Sequence, residues 1–166
     1  RYGTKEMLEI FKEQKKIDYQ LDIEAAAALS QSEIGVIPAS VAKDISRIAK
    51  SGKITAKRIK QLEAKSDHDT AALVEALAEK CKTESRPWIH YGLTSNDLVD
   101  TSNSMQMRDA IKIIQPKVSK LSLILAKNAV KHRSVPAVGR THGQHASIIS
   151  FGLKFANWAA EMSTHL

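Results

Sequence analysis

The sequence predicts an all-α protein, with an N-terminal helical domain over residues 1–111 followed by the first long helices of a central helical bundle over residues 112–166. Three observations carry this. Apolar residues recur at spacings of three and four through most of the chain. Glycine, proline and short hydroxyl or carboxylate residues fall at most of the joints between those stretches, where caps and turns belong. No segment shows a convincing two-residue alternation, and there is no internal repeat or low-complexity tract.

Taken in order, Thr4 is placed to cap a short helix through Phe11. A long helix is expected from about Lys15 to Ile34, with Ile17, Leu21, Ala25, Ala28 and Leu29 on one face, ended by Gly35. Pro38 suits the first turn of the next helix, which runs to about Lys50 and stops at Ser51-Gly52. Thr55 opens another, carrying Ile59 and Leu62. Asp67 or Asp69 can cap a helix from Thr70 to Lys82 with Leu73, Leu77 and Cys81 as its stripe. Pro87 breaks the chain. A helix from about Asp97 to Lys131, on the order of 50 Å long, should be kinked by Pro116. Residues Ser134 to Thr141 read as extended, and a final helix is expected from about Gly143 or Gln144. Its bulky face is Phe151, Phe155, Trp158 and Met162. Two helices cannot cover a wide stripe on each, so further chain or a partner subunit is expected to pack there.

Composition narrows the function classes. No apolar run approaches the ~20 residues of a membrane span, and no signal-peptide pattern opens the chain. Cys81 is the single cysteine, which excludes an intrachain disulfide and suits a reducing cytoplasm. The net charge of +7 comes from dispersed Lys and Arg, and aromatics are sparse. That distribution fits a solvated surface or an acidic small substrate better than nucleic acid.

Three polar islands interrupt the helical pattern. In Gly139-Arg140-Thr141-His142-Gly143, two glycines let backbone approach a ligand. Arg140 offers a donor fork for carboxylate or phosphate, Thr141 a hydroxyl, and His142 a proton near neutral pH. The same residues could equally serve only their own backbone. In Ser66-Asp67-His68-Asp69-Thr70, His68 stands at a helix N-terminus, a place that favours anions; simple capping accounts for it as well. The third island runs from His90 to Asp97. There Thr94, Ser95 and Asn96 precede a helix start, and capping alone would use one of the three. The spacing of His142 and His145 is helical spacing for two metal ligands, but no further ligands support a metal.

Together with Arg1-Tyr2 and Trp88-Ile89, these islands resemble the adenylosuccinate lyases of the fumarase/aspartase superfamily, in order and spacing along the whole chain. The resemblance implies β-elimination of fumarate from adenylosuccinate and from succinyl-aminoimidazole carboxamide ribotide. It implies no metal or organic cofactor, and a homotetramer whose active sites are shared between subunits. By position, His142 matches the general acid and His68 a second active-site histidine that orients substrate. Thr94 and Ser95 match residues that grip the succinyl carboxylate, His90 a histidine near the phosphate, and Arg1 and Tyr2 a nucleotide-binding pair. Asp67, Asp69, Arg140 and Thr141 complete the substrate-binding set that the motifs suggest.

Two departures stand out. The family usually has Arg where Asp67 stands, so a cation is replaced by an anion beside an anionic substrate. The family's serine loop with its catalytic base, its lysine and the glutamate that pairs with the general acid lie downstream and are not among these residues. The chain alone is therefore expected not to turn over. A different superfamily lyase and a basic helical binding module are the alternative readings.

Overall fold

The computed structural model describes residues 2–166; the expected nucleotide-binding role of Arg1 lies outside the described residues. Its helices are α1 (Lys5–Ile10), α2 (Glu13–Glu33), α3 (Ala39–Ala49), α4 (Ala56–Ser66), α5 (Asp69–Ala78), α6 (Ser95–Lys131) and α7 (Phe151–Thr164), with a 3-10 turn at Thr83–Trp88 between α5 and α6. Two strands, β1 (Pro136–Thr141) and β2 (Gln144–Ser150), form one antiparallel pair. Two caps fall where the sequence placed them. Thr4 accepts from the Met7 N–H at 3.4 Å, and Thr55 from the Arg58 N–H at 3.3 Å. The α6 helix runs through Pro116 without interruption.

The chain divides into two compact units, one reaching Ala110 and the other spanning Ile111–Leu166. The first owns the hydrophobic core. Ile17, Leu21, Ala25 and Ala28 of α2 meet Ile45 and Ile48 of α3, Leu62 of α4, Leu73 and Leu77 of α5, and Leu98 near the start of α6. Cys81 belongs to this core, and burial pushes its thiol up to about 11. Three long-range polar ties, among others, pin the helices. Gln106 Nε2 donates to the Ile10 carbonyl at 2.8 Å, and the Tyr19 hydroxyl donates to Asp109 Oδ2 at 2.6 Å. The third is Asp44, a buried α3 carboxylate. Its Oδ2 accepts from the Lys82 N–H and the Ser85 hydroxyl, both at 2.9 Å, and its Oδ1 from Arg47 at 2.6 Å. Burial alone would raise this carboxyl, but the three donors outweigh it and hold it below the usual carboxylate range.

The second unit corrects one expectation. Residues 143–150 do not begin a helix; they form the return strand of a β-hairpin, and α7 starts only at Phe151. Thr141 pairs with Gln144 and Arg140 with His145, leaving His142-Gly143 as a two-residue loop. Both loop residues have positive φ, 50° and 72°, the requirement of a type I′ turn, whose twist matches that of the paired strands. Ser147, Ile148 and Ile149 are poor helix formers and suit a strand. Ser150 then caps α7 by accepting from the Gly152 N–H at 3.1 Å. Gly152 lies directly against the C-terminal turns of α6. A Cβ there would overlap the Ala129 carbonyl oxygen and sit 2.9 Å from the Arg133 nitrogen.

Candidate active site

Among the described residues, only three non-glycine residues have positive φ: Asp67 at 50°, His90 at 62° and His142 at 50°. Each island holds one of them. Such backbone costs energy for residues with a Cβ and collects at functional sites.

In the first island, Asp67 is the left-handed residue that ends α4, its N–H bonded to the Glu63 carbonyl at 2.8 Å. Aspartate tolerates this conformation better than most side chains, which gives Asp67 a backbone role. The expected aspartate cap of α5 is corrected: His68 itself is the cap, its Nδ1 accepting from the Ala71 N–H at 3.2 Å. Asp69 instead accepts from the next residue's N–H, at 2.6 Å. The cap needs the Nδ1 lone pair, so it selects the tautomer with the proton on Nε2. The 3.8 Å approach of Nδ1 to Asp69 is an ion pair only if the ring is protonated, which would break the cap; the shorter and better directed capping bond governs. Asp69 also faces a cleft of 190 Å³ lined by Glu13, Glu63 and Lys16. Three carboxylates against one ammonium make that cleft a poor host for an anion.

The second island is built on α2. Glu24, 2% exposed, accepts from the His90 N–H at 3.0 Å and meets His90 Nδ1 at 2.6 Å. One helical face further along, Gln31 Nε2 donates to the Tyr91 carbonyl at 2.8 Å. The Trp88 and Tyr91 rings pack with centroids 5.2 Å apart. Beyond this turn, Asp97 Oδ2 accepts from both the N–H and the hydroxyl of Thr94, at 2.7 and 3.0 Å, which closes the start of α6. Those two bonds, with the nearby His90 ring adding to them, hold the Asp97 carboxyl below its ordinary range against a small opposing effect of burial. Thr94 is exposed and Ser95 half-buried at the first turn of α6. No hydrogen bond or ion pair among the described residues joins residues 66–70 to residues 88–97.

The third island is the hairpin tip in the second unit. Arg140, Thr141 and His142 are all exposed, and the type I′ turn presents the His142 side chain at its outermost point. Tyr2 is exposed ahead of α1. Among the described residues there is no group of three or more His, Cys, Asp or Glu able to hold a metal ion.

The first unit offers the His68 and His90 imidazoles and hydroxyls at a helix start, and the second, by itself, an exposed imidazole beside a donor fork; these are residue types that can move a proton or hold a carboxylate. The family described as Lyase matches residues 2–166. This chain belongs to the lyase family. Adenylosuccinate lyases from Methanocaldococcus jannaschii and Methanothermobacter thermautotrophicus are each 43% identical to it over all of its 166 residues. That from Thermotoga maritima is 36% identical over the same length. The match falls in the N-terminal portion of these relatives, and the chain spans only 36%, 37% and 38% of their respective lengths. Among solved structures, a fumarate lyase from Mesorhizobium superposes with a TM-score of 0.87 at 31% identity, over 99% of this chain and 40% of that one. A β-carboxy-cis,cis-muconate cycloisomerase from Acinetobacter calcoaceticus gives 0.87 at 30% identity, over 97% and 38%. The β-hairpin thus sits within a lyase fold that is otherwise helical.

Sequence reasoning missed Glu24 and Gln31. The signal was available for the first. Position 24 is seven residues from Ile17, three from Leu21 and four from Ala28, on the buried face of α2. A carboxylate there requires a buried partner.

Proposed function

We propose that this chain is the N-terminal portion of an adenylosuccinate lyase. It would release fumarate from adenylosuccinate, leaving AMP, and from succinyl-aminoimidazole carboxamide ribotide. The observation that carries the reading is the 43% identity to adenylosuccinate lyases along all 166 residues. In the elimination, a base outside these residues takes the carbon-bound proton and the C–N bond breaks toward nitrogen. His142 then supplies that nitrogen with its proton, a contribution of roughly 10²–10⁴ in rate. His68, held as the Nε2–H tautomer by its capping bond, orients substrate as a donor. Thr94 and Ser95 hold the succinyl carboxylate at the start of α6, the Thr94 hydroxyl exchanging its bond to Asp97 for one to the substrate. His90 lies toward the phosphate, Arg1 and Tyr2 toward the nucleotide, and Arg140 and Thr141 flank the acid. Each charge-assisted contact is worth roughly 1.5–3 kcal/mol. Asp69 lies beside His68 as a further contact. Asp67 serves chiefly as the turn residue that sets His68. The reaction needs no metal or organic cofactor, takes place in the cytoplasm, and uses sites completed by other subunits of a homotetramer.

A second reading has specific support. The cycloisomerase superposition and the aspartate at position 67 both fit a superfamily lyase acting on another carboxylated adduct. Assay of the complete polypeptide against both purine substrates, following fumarate release, decides between them. Turnover of both is expected, and inactivity on both with a folded protein would overturn the proposal. Residues 1–166 alone are expected to release no fumarate.

A further inference from the structure

We infer that Glu24 is a positioning residue for the substrate's phosphate, acting through His90; the inference rests on the lyase reading above. Glu24 is a buried carboxylate on a helix that carries none of the motif residues. Both of its oxygens are committed to one residue: Oε2 takes the His90 N–H at 3.0 Å and Oε1 meets Nδ1 at 2.6 Å. A carboxylate can only accept, so the ring proton at that contact is on Nδ1. This fixes three things about His90 at once. It holds the left-handed backbone at φ 62°, it selects the Nδ1–H tautomer, and it leaves Nε2 as the nitrogen that can meet a ligand. Among the described residues Nε2 has no hydrogen-bond partner. A ring that also carries a proton on Nε2 is the form that donates to a phosphate oxygen. Asp97 is a further charged group that interacts with this ring, but its Oδ2 is occupied by Thr94. Control of the imidazole therefore falls to Glu24. The arrangement is the one by which outer carboxylates fix ligand histidines elsewhere. Gln31 supports the same turn from the same helix through the Tyr91 carbonyl, so α2 acts as the template on which this part of the site is set.

Two measurements test this. In ¹⁵N-histidine spectra of the chain, His90 is expected to carry its proton on Nδ1. A proton on Nε2 alone in the unsubstituted protein would overturn the inference without any variant. In the complete lyase, Glu24→Gln is expected to raise KM for adenylosuccinate about tenfold while kcat changes less than about threefold, the split expected when binding rather than chemistry is lost. Inhibition by inorganic phosphate should weaken by a similar factor. Neither loss should appear when Glu24→Gln is added to His90→Gln, because the two residues act as one unit. Equal losses in both backgrounds, or an unchanged KM, would sink the role of Glu24. Absence of lyase turnover in the unsubstituted enzyme would instead sink the functional reading on which it rests.

Discussion

At the scale of single residues, the informative side chains are those whose backbone or burial is costly. His142 occupies a turn position that asparagine fills more comfortably, since asparagine enters the left-handed region readily. Replacing it therefore separates shape from chemistry. His142→Asn in the complete lyase is expected to keep or slightly raise the melting temperature while lowering turnover about 10²–10⁴-fold, the range for loss of a general acid. Full turnover would show that the imidazole is not the acid; a lower melting temperature would mean that the turn, not the proton, was lost. Asp44 is a second case. Its carboxyl is held below the ordinary range in the folded protein, so the ionised form is the one that folding favours. The stabilisation is complete above the unfolded value of about 4 and disappears as pH falls through the lower folded value. Asp44→Ala leaves the Lys82 N–H and the Ser85 hydroxyl without their acceptor, and is expected to cost about 1–3 kcal/mol at pH 7 by urea unfolding. The gap between variant and parent should narrow toward pH 2, and a gap independent of pH would refute the assignment. Cys81, with its thiol raised to about 11, should react with alkylating reagents only after denaturation.

Among the elements, the helices of the first unit were legible because each buries one stripe. Ile17, Leu21, Ala25 and Ala28 announce α2, and Leu73, Leu77 and Cys81 announce the α5 region, in sequence and structure alike. The hairpin was not legible for the complementary reason. Most residues of β1 and β2 are exposed, and the alternation of burial in β1 falls on the small residues Ala137 and Gly139, so no two-residue period of hydrophobicity is written into the sequence. Its only signature is Gly143 after His142, and glycine before an apolar run also reads as a helix boundary. The site was legible as residue types and illegible as geometry. The islands could be found, but the cap by His68 and the grip of Glu24 depend on neighbours that spacing does not reveal. Gly152 shows how an element junction is constrained. The atoms a Cβ would strike are the backbone of Ala129 and Arg133, which cannot rotate away. Gly152→Ala should therefore destabilise by about 1–3 kcal/mol, as overpacking does. A thermal melt of the chain measures it, and an unchanged midpoint would mean that α7 does not pack against α6 this way.

For the whole molecule, the two units differ in what they bury. The first encloses a continuous apolar core from Ile17 to Leu98. In the second, no residue other than Gly152 is buried, while Ile111, Ile114, Leu121, Ile124, Val130 and Trp158 are all exposed. Leu121, Leu125, Trp158 and Met162 line an apolar groove of 310 Å³ on this unit. Most of the stability of a helix in a protein comes from packing its apolar face, and apolar area contributes stability only once it is removed from water, at about 25 cal/mol per Å². The stripe expected to need further cover is thus uncovered here, consistent with the 36–37% of their length over which the archaeal relatives are matched. A direct consequence is that the units should behave differently when separated. Residues 1–110 are expected to unfold cooperatively in urea as a monomer. Residues 111–166 are expected to show weak helical circular dichroism that grows with concentration, because association is the route by which those faces leave water. Sedimentation equilibrium on the same samples supplies the decisive comparison: a monomeric, cooperatively unfolding 111–166 would mean that its exposed apolar faces are not packing surfaces awaiting a partner.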